Sequence, residues 1–279
     1  MLGSDVVRAG QRAGHEMVGL TRRELDVVDA KACLEVIAKL EGGAVVNCAA
    51  WTDVDGAESS PEAALAVNGT GAGNVARAAV GAGIPLVHVS TDYVFGGEPP
   101  LDGSGRPRGY VESDATGPRS VYGQTKLVGE QQVRDASARH CVVRTSWLFG
   151  TAGRNFADTM LALASEREQI AVVTDQIGCP TWTGHLAPAL VGLIERAVHG
   201  LVHLAGGGHV SWNGFAAEIF RQADVGCRVE GATSADMPRP APRPAWSALQ
   251  SERDDVLPLP PWRDGLAGYL AARAGIVRL

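Results

Sequence analysis

Apolar positions along this chain fall into two regimes. In the first half, short unbroken apolar runs alternate with stretches in which apolar residues recur at helical spacing. Residues 4–11 have that spacing with Val6 and Val7 facing inward, and Ala13-Gly14 ends the helix. Residues 15–20 are predicted as a strand leading into Thr21-Arg22-Arg23. A helix is predicted over 31–40 and a buried strand over 44–50. Residues 61–83 form a long alanine-rich helical stretch, with a break expected around Gly69 to Gly73. Residues 86–90 are a strand running into Thr91-Asp92-Tyr93-Val94-Phe95. A Gly/Pro-rich loop over 96–109 precedes a helix carrying Tyr122, and residues 140–145 are again a strand.

Strands that are apolar throughout, alternating with helices, imply an α/β fold: a Rossmann-like doubly wound parallel sheet covered on both faces. Ligands in such sheets sit at the carboxyl ends of the strands. Three polar clusters fall there: Trp51-Thr52-Asp53, Ser90-Thr91-Asp92 and Ser146-Trp147.

Past Gly150 the alternation loosens. Helices are predicted over 155–165, 185–198, 212–222 and 262–272, with a strand over 171–174 and a turn-rich loop over 175–181. Residues 237–244 are too proline-rich for helix or central strand. The expected division is a dinucleotide-binding domain over 1–150 and a smaller, substrate-binding domain over 151–279, laid over the mouth of the sheet with a soft boundary.

Composition narrows the function classes. The net charge of -6 disfavours nucleic-acid or anionic-membrane binding, and no apolar run is long enough to span a bilayer. Five widely spaced cysteines without a Cys-x-x-Cys suggest reduced thiols and a cytoplasmic protein. Seven scattered histidines give no metal-ligand spacing.

The chemistry centres on Tyr122 and Lys126, four residues apart and so neighbours on one helix face. An ammonium beside a phenol favours phenolate and is expected to bring the tyrosine pKa down from about 10. Tyr-x-x-x-Lys alone equally suits a solvated surface helix; its surroundings change the reading. Val46-Asn47-Cys48-Ala49-Ala50-Trp51-Thr52-Asp53-Val54-Asp55, Ser90-Thr91-Asp92-Tyr93-Val94-Phe95, Tyr122-Gly123-Gln124-Thr125-Lys126, Arg144-Thr145-Ser146-Trp147, Asp175-Gln176 to Pro180-Thr181 and Arg243-Pro244 with Ser247 stand in order along the chain.

With these motifs the chain resembles the dTDP-4-dehydrorhamnose reductase family of extended short-chain dehydrogenase/reductases, over nearly its whole length. The resemblance implies NAD(P)H-dependent reduction of the 4-keto group of a dTDP-linked 6-deoxy sugar. Tyr122 would protonate the carbonyl oxygen, Lys126 would hold the nicotinamide ribose, and Thr91 would hydrogen-bond the reacting oxygen. Thr91, Asp92 and Trp147 correspond to sugar contacts, the indole offering a flat face. Ala49, Ala50, Trp51 and Thr52 correspond to the cofactor loop, and Asp26 and Val27 to the segment against the adenine. Asp26 read by itself is a helix cap and Trp147 a core tryptophan. The resemblance leaves a homodimer open.

Two positions depart from the family pattern. Where an acidic residue would select NAD, the chain has Thr21, then Arg22 and Arg23; hydroxyl and guanidinium suit a 2′-phosphate, favouring NADPH with NADH as the alternative. The family also opens with a strand and a Gly-x-x-Gly-x-x-Gly turn that seats the pyrophosphate on a helix N-terminus. Here Leu2-Gly3 aligns with the end of that turn, so the first strand is absent and the chain is expected to be clipped. The intact mass of the native protein tests this expectation. A non-catalytic regulatory or scaffold subunit is the alternative that the missing turn favours; the retained Thr91, Tyr122 and Lys126 argue against it. A nucleotide-sugar epimerase or dehydratase is a third reading, and it would leave NADPH unspent.

Overall fold

The fold is that of a computed structural model, described here for residues 1–40 and 42–277. Helix α1 (Leu2–Arg12) turns Leu2, Val6 and Ala9 inward, while Val7 is only partly buried. Helix α2 (Ala30–Ile37) is capped by Asp29, whose carboxylate accepts the Ala32 N–H at 3.0 Å. Strand β1 (Val45–Asn47) is followed by α3 (Val54–Ser59) and α4 (Pro61–Leu65). Helix α4 passes through a π-helical turn (Ala66–Gly71) into α5 (Ala72–Gly81). The break expected near Gly69 is thus an expanded turn, and the helix continues through it. Strand β2 (Leu86–Thr91) ends in a 3₁₀ turn (Asp92–Val94), and α6 (Val121–Ala136) leads to β3 (Cys141–Thr145).

The second half contains β4 (Leu148–Phe149), α7 (Phe156–Ala164), β5 (Gln169–Val173), β6 (Ile177–Gly178), β7 (Thr181–Trp182) and α8 (Thr183–Glu195). It continues with β8 (Gly200–His203), β9 (Val210–Ser211), α9 (Trp212–Gln222), β10 (Arg228–Ala232) and α10 (Trp262–Val277). Strands β1, β2, β3 and β8 form one parallel sheet in that order. Side chains alternate across it with the period of two that a pleated strand dictates. Val142 joins the layer of α2 and α5, while Cys141 and Val143 join the layer of α1 and α8. Helices therefore cover both faces, as a doubly wound sheet requires.

Two features of the sheet differ from the sequence reading. Residues 15–20 form no strand, and Val18 and Leu20 are exposed. A strand needs a neighbouring ladder for its backbone groups, and among the described residues β1 pairs only with β2, leaving its other edge without a partner. Strand β8 was not anticipated: Leu201-Val202 is too short an apolar run to stand out, and pairing with β3 defines it. Strand β5, predicted over 171–174, starts two residues earlier and pairs in parallel with β10, which carries no apolar pattern of its own.

A second core gathers Phe149, Phe215, Trp262 and Tyr269 beneath α7, α9 and α10. A smaller one joins Val94, Phe95, Tyr110, Cys179, Trp246 and Leu249, tying the turn after β2 to the loop over 177–181 and to the segment over 245–250. That seam adjoins two of the three polar clusters: Asp92 shares its turn with Val94, and Ser146 donates to the Cys179 carbonyl at 2.7 Å.

Candidate active site

Helix α6 brings its chemistry to the end of β2. Ser120 caps the helix by accepting the Gly123 N–H at 3.1 Å, which places Tyr122 in the first turn and Lys126 one turn on. Two glycines let this helix sit close: a Cβ at Gly123 would collide with the Tyr93 carbonyl, and one at Gly129 with the Asn68 carbonyl. The turn after β2 and the π-helical turn thus press directly on α6. Tyr93 meets Tyr122 edge to face, with ring centres 5.5 Å apart.

Thr91 lies at the carboxyl end of β2. Its hydroxyl donates to Asp92 Oδ1 at 3.0 Å and accepts the Tyr93 N–H at 3.2 Å. On its other side it hydrogen-bonds the Tyr122 phenol. Thr91, Asp92 and Tyr122 are therefore one contiguous group. Lys126 is buried and donates to the Val89 carbonyl at 2.7 Å, with His88 Nε2 at 3.4 Å. His88 in turn contacts Asn47 at 3.2 Å, and Asn47 accepts the Ala49 N–H at 3.0 Å.

The electrostatics correct one expectation. Burial pushes the Tyr122 phenol up to about 12, opposed by its hydrogen bond with Thr91 and reinforced by the Asp92 charge. Burial likewise brings Lys126 down to about 8. Desolvation outweighs any lowering of the phenol by the ammonium, whose closest partners are Val89 and His88. Burial also holds His88 far below its ordinary value and pushes Asp92 up to about 6.

The loop after β1 is fixed by a residue the sequence reading passed over. Asn68, in the π-helical turn, accepts the Trp51 N–H at 2.8 Å and donates to the Trp51 carbonyl at 3.2 Å. It also donates to Thr125 Oγ1 at 3.1 Å, and Thr125 donates to the Tyr122 carbonyl at 2.9 Å. Ala49, Ala50, Trp51 and Thr52 are thereby tied to the first turn of α6. An asparagine inside an otherwise alanine- and glycine-rich helix was the available signal.

Beneath the site lies a buried ion pair. Arg144 donates to Glu130 at 2.7–3.2 Å, and Ser90 donates to Glu130 Oε1 at 2.5 Å. Arg144 also lies 5.0 Å from the Phe95 ring centre. Glu130 was the other residue missed; its spacing from Lys126 reads as an ordinary surface pair, and only the fold buries it.

Trp147 follows β3 with φ +46°, a left-handed conformation strained for a tryptophan. Its indole stacks on Trp212 at 3.5 Å and 3°, which occupies one of its two faces. Leu2 is buried under the first turn of α1, and Gly3 lies one residue further into that turn. Thr21, Arg22, Asp26 and Val27 lie in the irregular segment between α1 and α2, apart from the Tyr122 group. Asn74 holds the Val27 carbonyl at 3.0 Å, and Val27 packs into the α2–α5 layer. Asp26 accepts the Val28 N–H at 3.1 Å and pairs with Arg22 at 3.4 Å; the cap of α2 is Asp29. The Thr21 hydroxyl donates to Glu24 at 2.8 Å, and both Arg22 and Arg23 are exposed.

The model of the RmlD substrate-binding domain family matches residues 1–274. The chain belongs to this family. A dTDP-4-dehydrorhamnose reductase of Mycobacterium tuberculosis is 43% identical over 279 residues, covering 98% of this chain and 90% of that relative. A probable dTDP-4,6-dihydroxy-2-methyloxan-3-one 4-ketoreductase of Streptomyces antibioticus is 40% identical, covering 95% of this chain and 90% of its own length. Among solved structures, a dTDP-4-dehydrorhamnose reductase of Bacillus anthracis in complex with NADP superposes with a TM-score of 0.92 at 34% identity, covering 97% and 95% of the two chains. The RmlD-family fold thus extends over the sheet and the second core alike.

Proposed function

We propose that this chain is an NADPH-dependent reductase of the 4-keto group of a dTDP-4-dehydro-6-deoxy sugar, giving dTDP-L-rhamnose or a related deoxysugar. The observation that carries the reading is the contact of Thr91 with Tyr122, one helical turn from a buried Lys126, in a chain of this family. Family members named for reduction of two different keto sugars support the reaction class more firmly than the sugar.

The residues present fit a dinucleotide along the carboxyl edge of the sheet. Lys126 spends one donor on the Val89 carbonyl and keeps others for a ribose. Ala49 and Ala50 are small, and their backbone is held by Asn47 and Asn68. Gly3 and Leu2 at the start of α1 and Arg22, Asp26 and Val27 beyond it would take the rest, with Arg22 and Thr21 toward a 2′-phosphate. When bound, the nicotinamide supplies the hydride.

The chain's own part is to hold the carbonyl and deliver the proton. Thr91 fixes the carbonyl oxygen against Tyr122, and Tyr122 donates its hydroxyl proton to that oxygen as the C4 carbon is reduced. A phenol with a pKa near 12 stays protonated at neutral pH and becomes an effective donor once an alkoxide develops beside it. Asp92 and Trp147 border the sugar, and residues 151–279 form most of its walls. The cytoplasm suits the chemistry and the five free cysteines.

The test is incubation with dTDP-4-dehydrorhamnose and NADPH, reading NADPH oxidation and product together. Stoichiometric oxidation with formation of dTDP-rhamnose is expected. A changed sugar with NADPH unspent would instead mean epimerase or dehydratase chemistry. Tyr122→Phe should lower kcat by about 10²–10⁴-fold with KM little changed; wild-type turnover in that variant would remove Tyr122 from its role.

A further inference from the structure

We propose that Asp92 is the proton reservoir of this site, recharging Tyr122 through the Thr91 hydroxyl; this rests on the reductase reading, in which Tyr122 is the acid. Asp92 is the first residue after β2 and is 1% exposed. Oδ1 meets Thr91 Oγ1 at 3.0 Å, and Thr91 meets the phenol of Tyr122, so the three groups form an unbroken line. Such a hydroxyl–carboxyl contact carries a proton in either direction. Oδ2 has no hydrogen-bond partner among the described residues; Ser247 lies beside the carboxyl, but its hydroxyl is directed to the Ile177 carbonyl at 3.5 Å.

The contrast with Glu130 is instructive. That carboxylate is equally buried but receives Arg144 and Ser90. Asp92 is approached by the Thr91 and Ser247 hydroxyls and by its own and the Tyr93 N–H groups, with no such cation among the described residues; burial outweighs these contacts, and the carboxyl prefers to carry its proton. The groups facing it are Thr91 and Tyr93 on its own segment, Tyr122 on α6, Cys179 on the loop over 177–181, and Ser247. Burial pushes Tyr93, Tyr122 and Cys179 all upward, so none is charged near neutral pH. The charges nearest Tyr93, Arg243 and Asp55, are paired with each other at 3.0 Å.

The step balances. The O–H bond of Tyr122 breaks as the C4 oxygen takes its proton. The phenolate takes the hydroxyl proton of Thr91, and the Thr91 oxygen takes the proton of the Asp92 carboxyl. Tyr122 and Thr91 end neutral and the negative charge rests on Asp92, which water reprotonates after product leaves. Moving the charge from a group near 12 to one near 6 is downhill, whereas leaving it on a buried phenolate is not.

Asp92→Asn keeps the shape and removes the transferable proton. Carbon-13 NMR of aspartate-labelled protein should show a carboxyl titrating near 6 that the variant lacks. At pH 5, below that titration, its kcat should fall at least ~10-fold with KM within ~3-fold. The wild-type kcat should decline as pH rises through the carboxyl titration, and the variant's should be flat there. An inactive Tyr122→Phe beside an Asp92→Asn with wild-type kcat and pH profile would overturn the reservoir and leave the reductase reading standing; an active Tyr122→Phe would overturn both. Should Asp92→Asn fail to fold, a proton inventory on the wild type decides. A curved dependence of kcat on deuterium fraction means several protons in flight, and a linear one overturns the relay.

Discussion

Replacing Glu130 by Leu should destabilise the protein severely, and the size follows from what it holds. Glu130 and Arg144 have side chains 1% and 3% exposed, and the carboxylate receives three hydrogen bonds from Arg144 and one from Ser90. Without it, the guanidinium keeps, among the described residues, a 3.4 Å contact to His203 Nε2 and the Phe95 face. His203 cannot substitute, since its other ring nitrogen already faces the Tyr110 and Gln250 carbonyls at 3.0 Å. Breaking a buried pair by removing one partner costs about 3–5 kcal/mol, because the remaining charge is uncompensated. Against a typical stability of about 5–15 kcal/mol this is a large fraction. At roughly 2–4 °C per kcal/mol in a chain of this size, Tm should fall by about 6–20 °C. Urea denaturation followed by circular dichroism gives the free energy. The double variant Glu130→Leu/Arg144→Met should recover most of the loss, since an apolar pair of similar volume is often neutral or better. A single variant within about 1 kcal/mol of wild type, or a double variant no better than the single, would refute this account of the pair.

Gly129→Ala places a methyl group against the Asn68 carbonyl and should cost about 1–3 kcal/mol, read as a lower urea midpoint. It should also weaken NADPH binding, because Asn68 carries the Trp51 loop; an unchanged midpoint would show that α6 and the π-helical turn can separate freely. Asp92 gives a pH signature in stability. Its pKa is 3.8 unfolded and about 6 folded, so the folded state holds the extra proton between those values. The stabilisation is complete below 3.8 and is lost as pH rises to 6, about 3 kcal/mol in all. Asp92→Asn should therefore be more stable than wild type at pH 7.5 and lose that advantage toward pH 4. Parallel stability–pH curves for the two proteins would contradict the raised pKa.

Three of the four strands of the sheet, β1, β2 and β3, were legible in the sequence. Strands β2 and β3 read as unbroken apolar runs because both faces are covered, and the polar residues that end them could only lie at the carboxyl edge. Tyr122 and Lys126 were legible because helical spacing is local. Other features were decided only by the tertiary structure. Residues 15–20 have a strand's composition but no ladder to join, and β8 and β10 exist through their partners. Trp147 stacks on Trp212, 65 positions along the chain and invisible to any local pattern. Asn68 and Glu130 gained their roles through contacts brought together by α6. The direction of the Tyr122 shift was misjudged for the same reason. Spacing shows which charge is near, but burial sets the local dielectric, and burial is a property of the whole fold.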